Sequence, residues 1–300
     1  MIEIQNITKK FDAITALDSV SARMEEGHVF GLIGTNGAGK STLLRTISGI
    51  YAPEQGQILI DGAPVYENPE AKAKVFLISD DQYFFPNGTP ADMVRYYQAF
   101  YPSFDTGRFE KLMQALKLDI RRKTNTFSKG MKKQLSVMLG ICSGVKYLLC
   151  DETFDGLDPV IRQAIKRLFI QEMEEHHLTP IIASHNLREL EDICEHVGLL
   201  HKGGILFSRD LDEMKLGIFK LQCVLNDPID LADIEKQFPI LRNERQGSLL
   251  TLTLRGSNQD ISSVMERLQP VFWELLPLTL EEIFISETEV LGYDFETLYA

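Results

Sequence analysis

The sequence predicts an α/β fold whose parallel sheet is covered by helices on both faces. Short apolar runs with strand character alternate with helical segments from residue 1 to about 215, and this order builds parallel sheets. A glycine-rich loop at 34–42 joins an apolar strand at 29–33 to a helical segment, a unit typical of such folds. The composition agrees, since 44% hydrophobic and 25% charged residues are ordinary for a globular chain.

Each strand is predicted from a short apolar run that is bounded by turn residues. These runs are Ile2–Ile7, Ile14–Ala22, His28–Ile33, Gln57–Ile60, Val75–Ser79, Tyr147–Cys150 and Pro180–Ser184. Helical spacing of apolar residues predicts helices from Lys40 to near Gly49 and at 90–101, 105–118, 129–142 and 159–175. The helices between 90 and 142 interrupt the alternation, so we expect them to be inserted between two strands of the sheet.

Beyond Gly203 the pattern changes to a mixture of short strands and helices. The clearest segments are Leu249–Leu254, Asp260–Leu268 and Val271–Leu276. This mixture predicts a small α+β extension after the main sheet.

Charge, hydropathy and cysteine usage disfavour several classes of protein. The net charge of −12 argues against a general nucleic-acid binder. No apolar run is long enough to cross a bilayer, and the chain begins as a strand and not as a signal peptide. The four cysteines are widely spaced, which suits buried thiols in a reducing compartment; they are Cys142, Cys150, Cys194 and Cys223. We therefore expect a cytoplasmic protein that reaches a membrane only through a partner.

Residues 34–42 match the phosphate-binding pattern of a glycine, four residues, and then glycine, lysine and serine or threonine. They are Gly34, Thr35, Asn36, Gly37, Ala38, Gly39, Lys40, Ser41 and Thr42. Glycines let the backbone N–H groups surround an anion, the lysine charge suits the terminal phosphates, and the serine hydroxyl suits Mg²⁺. A glycine turn without a ligand does not account for the flanking strand and helix. We therefore predict that the chain binds a nucleoside triphosphate.

A second part of this site is predicted at the end of the apolar run Tyr147–Cys150. Asp151 and Glu152 follow that run directly. Downstream of a phosphate-binding loop, Asp151 is placed to bind Mg²⁺, and Glu152 is placed to orient and deprotonate water. Two acids at a strand end also occur in plain solvated turns, so the catalytic interpretation depends on the loop at 34–42.

The segment 127–134 combines a helix cap with an unusual concentration of charge. Ser128 is predicted to be the N-cap, and Gly130 permits a close approach of the backbone to an anion. Lys129, Lys132 and Lys133 lie in the same first turns, where positive charge is unfavourable unless an anion is near. A plain capped helix is the alternative, and the lysines favour a phosphate contact.

These motifs together resemble the ATP-binding cassette (ABC) family of transporter ATPases. The resemblance covers residues 1 to about 215 and depends on five motifs in the family's order: 34–42, 128–131, 147–152, 155–158 and His185. It implies a P-loop NTPase cassette with a mixed sheet core, an antiparallel β subdomain and an inserted helical subdomain at about 82–145. The ATPase domain would span 1–215 and an accessory subdomain 216–300, whose segment 278–285 resembles the ending of exporter-type cassettes.

The resemblance also implies roles for single residues. Phe11 matches the aromatic residue that stacks on adenine, Asp158 the acid of the loop joining two subunits, and His185 the switch histidine that contacts the terminal phosphate. Ser128 and Gly130 would contact the ATP held by the opposite subunit, so that the active unit is a head-to-tail dimer with two ATP molecules between the subunits. From the residues alone, an alternative interpretation stays open for each: Phe11 as a core residue and His185 as a helix cap.

Two positions depart from the family's pattern. The signature usually carries two glycines, and Lys129 occupies the first of these positions; the resulting Lys-Gly-Met resembles the exporter branch that handles antibiotics and polysaccharides. The family commonly has a glutamine that contacts Mg²⁺ and water after the strand at 75–79, where this chain has Asp80, with Gln82 two residues on. A shorter acid can reach a metal through water, so the role stays open between Asp80 and Gln82.

Three aromatic residues, Tyr83, Phe84 and Phe85, are predicted to lie in a surface loop. Adjacent exposed rings suggest an interface, although local core is an equal alternative from the residues alone. In the family, this is the groove that receives a short helix of the membrane-spanning subunit.

The leading interpretation is an ATP-binding and ATP-hydrolysing subunit that powers a membrane exporter. It implies ATP and Mg²⁺ as ligands, a membrane-spanning subunit as partner, a second ATPase subunit in a homodimer or heterodimer, no nucleic acid, and a peripheral position on the cytoplasmic face of a membrane. A soluble cassette ATPase that acts on ribosomes or DNA usually has two cassettes, a long coiled coil or a zinc module, which this sequence lacks. A non-catalytic ATP-gated module is disfavoured by the matches at Glu152 and His185.

Overall fold

The computed structural model describes residues 1–211, 217–226 and 228–290. The chain divides into two compact units, Met1–Ser208 and Arg209–Ala300, and each is described by itself. The domain boundary expected at 215/216 lies outside the described residues. No helix within the described ranges has both the length and the apolar character needed to cross a bilayer.

The first unit begins with a four-stranded antiparallel sheet. Its strands are β1 (Ile2–Phe11), β2 (Ile14–Met24), β4 (Gln55–Ile60) and β5 (Ala63–Pro64), in the order β2-β1-β4-β5. Asp61 and Gly62 join β4 to β5 with φ angles of 50° and 80°, as a two-residue hairpin turn requires.

A six-stranded sheet forms the centre of this unit. Its strands are β3 (Phe30–Ile33), β6 (Val75–Ile78), β7 (Tyr147–Asp151), β8 (Thr179–Ser184), β9 (His196–His201) and β10 (Gly204–Asp210), in the order β10-β9-β3-β8-β7-β6. The pairs β6–β7, β7–β8, β3–β8 and β3–β9 are parallel. Every residue of β3, β7 and β8 is buried, which explains why these strands are continuous apolar runs. The carboxyl ends of these parallel strands lie at one edge of the sheet.

Helices pack on this sheet and include the expected insertion. The helices of the first unit are α1 (Lys40–Ile47), α2 (Pro69–Lys72), α3 (Pro90–Gln98), α4 (Thr106–Ala115), α5 (Lys129–Cys142), α6 (Pro159–His176) and α7 (Leu187–Glu191). α1 packs against β7, and α5 packs against β6, α3 and α4. The segment from α3 to α5 therefore lies between two neighbouring strands, β6 and β7, as the sequence predicts.

One apolar core joins the two sheets of the first unit to α1. It contains Ile2 and Leu17 from the small sheet, Leu43 from α1, and Leu149 and Ile181 from the central sheet, all of them fully buried. Burial of this kind is the main favourable contribution to folding. It fixes α1, and with it the loop before α1, on the face of the central sheet.

The second unit is an antiparallel sheet with helices between its strands. Its elements are β11 (Ile218–Val224), α8 (Pro228–Gln237), β12 (Ile240–Gln246), β13 (Leu249–Arg255), α9 (Asn258–Leu268), β14 (Phe272–Leu276) and α10 (Leu280–Val290). The strand order β12-β13-β11-β14 is that of a ferredoxin-like βαββαβ unit. Leu221, Leu252 and Leu254 of the sheet pack with Ile234 and Ile261 of the helices. The expected α+β extension is present.

Candidate nucleotide site

The phosphate loop, residues 34–42, follows β3 directly and leads into α1. Gly37 and Gly39 have φ angles of 82° and 107°, a conformation that favours glycine. A Cβ atom at Gly39 would lie 2.5 Å from the carbonyl oxygen of Ala16 on β2, so a side chain does not fit there. Gly39 is the N-cap of α1, whose first N–H groups therefore lie at the carboxyl edge of the sheet. This arrangement suits a bound phosphate.

The side chain of Lys40 is almost completely buried within the phosphate loop. Its ammonium group donates hydrogen bonds to the carbonyl oxygens of Gly34 at 2.6 Å and Thr35 at 3.2 Å. It also lies 3.4 Å from Oε1 of Glu152. A buried ammonium group requires such partners, and here they hold the charge at the strand ends.

Asp151 has the properties of a cation ligand. Its side chain is buried, and Oδ1 has no hydrogen-bond partner among the described residues. Burial raises the pKa of Asp151 above its usual range, while a hydrogen bond with the Ser41 hydroxyl and the nearby Arg45 charge oppose that shift. A buried acceptor without a donor, next to a serine hydroxyl, fits the oxygen ligands that Mg²⁺ prefers.

Glu152 lies where the phosphate loop, β7 and β8 meet. Its carboxylate Oε2 is 2.9 Å from Nδ1 of His185, and Oε1 contacts Lys40. Its backbone is left-handed, with φ at 46°, which is strained for a residue with a side chain. The N–H group donates to the carbonyl of Ala183 at 3.0 Å, and the carbonyl accepts from Nζ of Lys133. The structure thus brings together Lys40, Glu152 and His185, which the sequence separates widely.

In the loop after β6, the side chains of Asp80 and Gln82 make different contacts. The Gln82 side-chain amide donates to the backbone carbonyls of Ser79 at 3.1 Å and Asp80 at 2.9 Å, so its donor is turned toward its own loop. The Asp80 carboxylate lies 3.2 Å from Nζ of Lys133 and is near enough to Asp151 to contribute to its raised pKa. This geometry favours Asp80 for a role at the site.

Ser128 caps α5, as the sequence predicts, by accepting a hydrogen bond from the N–H group of Met131 at 3.2 Å. The ammonium group of Lys129 lies 3.2 Å from Oδ2 of Asp155 and holds the pKa of that carboxyl below its usual range. Lys129 and Lys133 of this helix end therefore have carboxylate neighbours in the chain itself. In the described parts of the chain, no hydrogen bond joins Ser128 or Gly130 to the phosphate loop.

Phe11 and Asp158 lie on elements that adjoin the site. Phe11 ends β1 and is 39% exposed, and its ring packs edge-on against Tyr51 with centroids 5.2 Å apart. Asp158 caps α6 by accepting hydrogen bonds from the N–H groups of Val160 and Ile161. Neither contact tests the roles that the resemblance implies.

Lys133 is the site residue whose position sequence reasoning missed. The side chain is fully buried, although the sequence places it in a run of lysines that suggests exposure. It connects α5 to Asp80 and to the backbone of Glu152. The local sequence gives no signal of this burial, because Lys133 follows Lys129 on the same helix face.

The comparisons with known sequences agree with this geometry. The profile of the family described as ABC transporter matches residues 17–155. The ABC transporter ATP-binding protein YtrB of Bacillus subtilis is 32% identical over 287 residues, which cover 96% of this chain and 98% of that protein. A spermidine/putrescine import ATP-binding protein, PotA of Nitrosomonas eutropha, is 30% identical over 210 residues, which cover 68% of this chain and 58% of PotA. The bacitracin transport ATP-binding protein BcrA of Bacillus licheniformis is 27% identical over 72% of this chain and 71% of its own length.

Solved structures share the fold. The ATP-binding subunit of an ABC transporter superposes with a TM-score of 0.66 at 24% identity and covers 72% of this chain and 92% of its own. An ATP-binding cassette in a dimeric, post-hydrolysis state with ADP and phosphate superposes with a TM-score of 0.64 at 22% identity, over 70% of this chain and 99% of its own. With the YtrB relationship over nearly the whole chain, the assignment follows: the chain belongs to the ATP-binding subunits of ABC transporters, which are ATPases.

Proposed function

We propose that residues 1–215 bind Mg-ATP and hydrolyse it with Glu152 as the general base, to power a membrane transporter. The observation that carries the proposal is the convergence of Lys40, Glu152 and His185 at the end of the phosphate loop. Lys40 would hold the terminal phosphates, Glu152 would accept a proton from the attacking water, and His185 would orient Glu152 and contact the terminal phosphate. Phe11 would stack on the adenine ring.

The residues around Asp151 fit a bound Mg²⁺ ion. Ser41 and Asp151 would hold it directly, and Asp80 would reach it through water. When bound, the ion would neutralise charge on the phosphate oxygens. The unpartnered Oδ1 of Asp151 supports this assignment, because a divalent cation would stabilise the buried carboxylate.

We further propose that the transporter is an exporter. The Lys129-Gly130-Met131 form of the signature supports this direction, and one relative, BcrA, is described as a bacitracin transport protein. PotA, another relative, is described as an import protein, so the direction requires its own test. Efflux of a labelled peptide antibiotic should depend on the intact chain and fail with Lys40→Ala in cells that carry the membrane subunit. Equal efflux from both strains would contradict export of this class of compound.

The proposed active unit is a head-to-tail dimer, in which Ser128 and Gly130 contact the ATP bound by the partner subunit and Asp158 lies near the interface. Two observations support it. Ser128 and Gly130 begin the long helix α5 but make no hydrogen bond to the phosphate loop of their own chain within the described residues. A solved cassette with this fold is dimeric.

Mixing two inactive variants tests this arrangement. Gly130→Asp and Lys40→Ala subunits should each be inactive alone, but their heterodimer should contain one composite site with neither lesion. When equal amounts of the two variants are mixed at random, about half of the dimers should pair unlike subunits, and each of these has one intact site out of two. Up to about a quarter of the wild-type number of sites should therefore be restored. Nucleotide trapping on the mixture measures the intact sites directly. Trapping no greater than that of the separate variants would contradict the head-to-tail arrangement.

An aromatic patch near the loop after β6 is the proposed docking surface for the membrane-spanning subunit. Tyr83 is 71% exposed and Phe100, just after α3, is 57% exposed, whereas Phe84 and Phe85 are half-buried. The half-burial corrects the expectation of a fully exposed loop. Its cause is the packing of the Phe85 ring on Tyr96, with ring centroids 5.1 Å apart. Exposed rings that lie together mark an interaction surface.

Replacing Tyr83 and Phe100 by serine should disconnect the chain from its membrane subunit without unfolding it. Both rings are largely exposed, so the unfolding temperature should change little, whereas removal of a buried ring costs about 3–5 kcal/mol. Tyr66→Ser, at a position 45% exposed on another surface, is the matched control. The measurement is co-purification of the tagged chain with its membrane subunit from solubilised membranes. Equal recovery with the double variant and with the control would contradict docking at this patch.

A peripheral position on the cytoplasmic face of the membrane follows from this docking. We assign no nucleic-acid partner, in keeping with the net charge of −12. Residues 216–300 are proposed to be an accessory subdomain, and the helical subdomain is proposed to span about 82–145.

A further inference from the structure

Lys133 is completely buried in the structure, yet its charged group contacts three residues from two other segments. Its Nζ donates to the backbone carbonyl of Glu152, lies 3.2 Å from Oδ1 of Asp80 and lies 3.9 Å from Oδ2 of Asp155. The three partners belong to the loop after β6 and to the turn after β7, while Lys133 itself belongs to α5. One ammonium group therefore joins the helix that begins with Ser128 to both loops at the carboxyl edge of the sheet.

The contact with Glu152 acts on a strained position. Glu152 is held in a left-handed conformation, φ 46°, which persists only where the surroundings fix it. Two hydrogen bonds fix it here, from its N–H group to Ala183 and from Lys133 to its carbonyl. The orientation of this peptide determines where the carboxylate points, and in the structure it points at Lys40 and His185.

The contact with Asp80 extends the connection toward the aromatic patch. Asp80 is half-exposed and lies three residues before Tyr83, in the same loop. A movement of this loop would alter the distance between the Asp80 carboxylate and Lys133. Since Lys133 also donates a hydrogen bond to the Glu152 carbonyl, a movement of the loop would be transmitted to the Glu152 carboxylate through this one side chain.

A role in stability alone does not explain this lysine. The other buried residues of α5 carry no charge, and replacing a buried ion pair with a well-packed apolar side chain is often neutral or stabilising. Removing a charge costs most where its partners stay buried, but here Asp80 and Asp155 are half-exposed. The contacts of Lys133 therefore point to a role in positioning Asp80 and the backbone of Glu152.

We propose that Lys133 is a positioning residue, which sets the backbone of Glu152 for hydrolysis and transmits the state of the loop at 80–83 to it. This inference rests on the proposed role of Glu152 as general base. Lys133 itself touches neither water nor nucleotide in this proposal. Its effect should appear in turnover and not in the affinity for ATP.

The test is Lys133→Met, which keeps the length of the side chain and removes both the charge and the donor. Lys166→Met is the matched control, because Lys166 is also almost completely buried and also pairs with a carboxylate, Asp192 at 3.2 Å, but lies over the ring of Phe154 and not at the Glu152 carbonyl. We expect Lys133→Met to lower kcat roughly 10- to 100-fold, the loss typical of a misplaced catalytic group. The dissociation constant for Mg-ATP should stay within about threefold, and the control should retain its kcat.

A double-mutant cycle separates transmission from simple packing. The cycle is measured at saturating Mg²⁺, so that the proposed water-mediated contact of Asp80 with the ion does not limit turnover. If Asp80 acts through Lys133, Asp80→Asn should then lower kcat in the wild-type background and have little further effect in Lys133→Met, since coupled residues are not additive. Additive losses of kcat in the double variant would contradict the proposal that Lys133 transmits the state of the loop. Turnover of Lys133→Met within about threefold of wild type, or an equal loss in Lys166→Met, would overturn the positioning role.

A further variant keeps the inference falsifiable. Should Lys133→Met fail to fold, Lys133→Leu removes the same charge and the same donor with a smaller apolar side chain. An unchanged kcat in Lys133→Leu would overturn the proposal, and a reduced kcat with unchanged ATP affinity would support it. Glu152→Gln distinguishes the two levels: if that variant still hydrolyses ATP, the proposed function fails, whereas if it is inactive and Lys133→Met is fully active, only the inference about Lys133 fails.

Discussion

Glu152→Gln should abolish most ATP turnover while ATP binding is retained. The amide keeps the shape of the side chain and can still pair with His185, which lies 2.9 Å from the carboxylate, but it cannot accept a proton from water. Loss of a general base typically lowers the rate about 10²–10⁴-fold. Because ATP would still bind but not be consumed, the variant should also accumulate as an ATP-bound dimer. Steady-state phosphate release and size-exclusion chromatography with Mg-ATP measure the two effects.

The control is Glu195→Gln, which removes an exposed carboxylate just before β9. Glu195 lies where the parallel strands begin, whereas Glu152 lies where they end. Its turnover should match that of the wild type. Glu152→Gln turnover within about threefold of wild type would refute the assignment of Glu152, given the loss expected for a general base.

Lys40→Ala should weaken nucleotide binding and hydrolysis together. The Lys40 side chain is 5% exposed and is held at the phosphate loop by two backbone carbonyls and Glu152, so its charge is fixed where the terminal phosphates would bind. A hydrogen bond to a charged group contributes about 1.5–3 kcal/mol, which predicts an affinity roughly 10- to 100-fold weaker. Calorimetric titration with Mg-ATP measures the change. Lys166→Ala provides the control for removing a buried lysine elsewhere.

An unchanged affinity for Mg-ATP in Lys40→Ala would be incompatible with the phosphate loop as the nucleotide site. An equal loss in Lys166→Ala would assign the effect to general destabilisation. The expected result is a loss confined to Lys40→Ala, with thermal unfolding of the ligand-free variants in the same range.

The fully buried strands β7 and β8 were predictable from the sequence, and the exposed edge strand β12 was not. β7 and β8 consist of buried residues only, so their apolar runs stand out. β12 has the sequence ILRNERQ and exposes most of its side chains, so it lacks the alternation that marks a half-buried strand. It becomes a strand because it pairs with β13, with Glu244 opposite Thr251. Pairing of this kind lies outside any local pattern.

The site could be predicted where a motif fixes both residue and spacing. The phosphate loop and the two acids after β7 are of this kind, whereas Lys133 and Phe85 depend on contacts between distant segments. Lys133 is buried because Asp80 and Glu152 meet it from two loops. Phe85 is half-buried because Tyr96 of α3 packs against it. Neither contact leaves a local signal in the sequence.

The insertion between β6 and β7 has a consequence for how this protein can change over evolution. The two strands are hydrogen-bonded neighbours in parallel register, with Val75 opposite Tyr147 and Ile78 opposite Cys150. The chain between them therefore leaves the sheet at the carboxyl end of β6 and crosses back to the amino end of β7, beside the strand that it left, and added length in such a crossover has a small entropic cost. Its surface can change while the strand ends that carry the acids keep their spacing. The proposed positioning role of Lys133 would limit this freedom, because Lys133 joins α5 to Asp80 and to the Glu152 backbone.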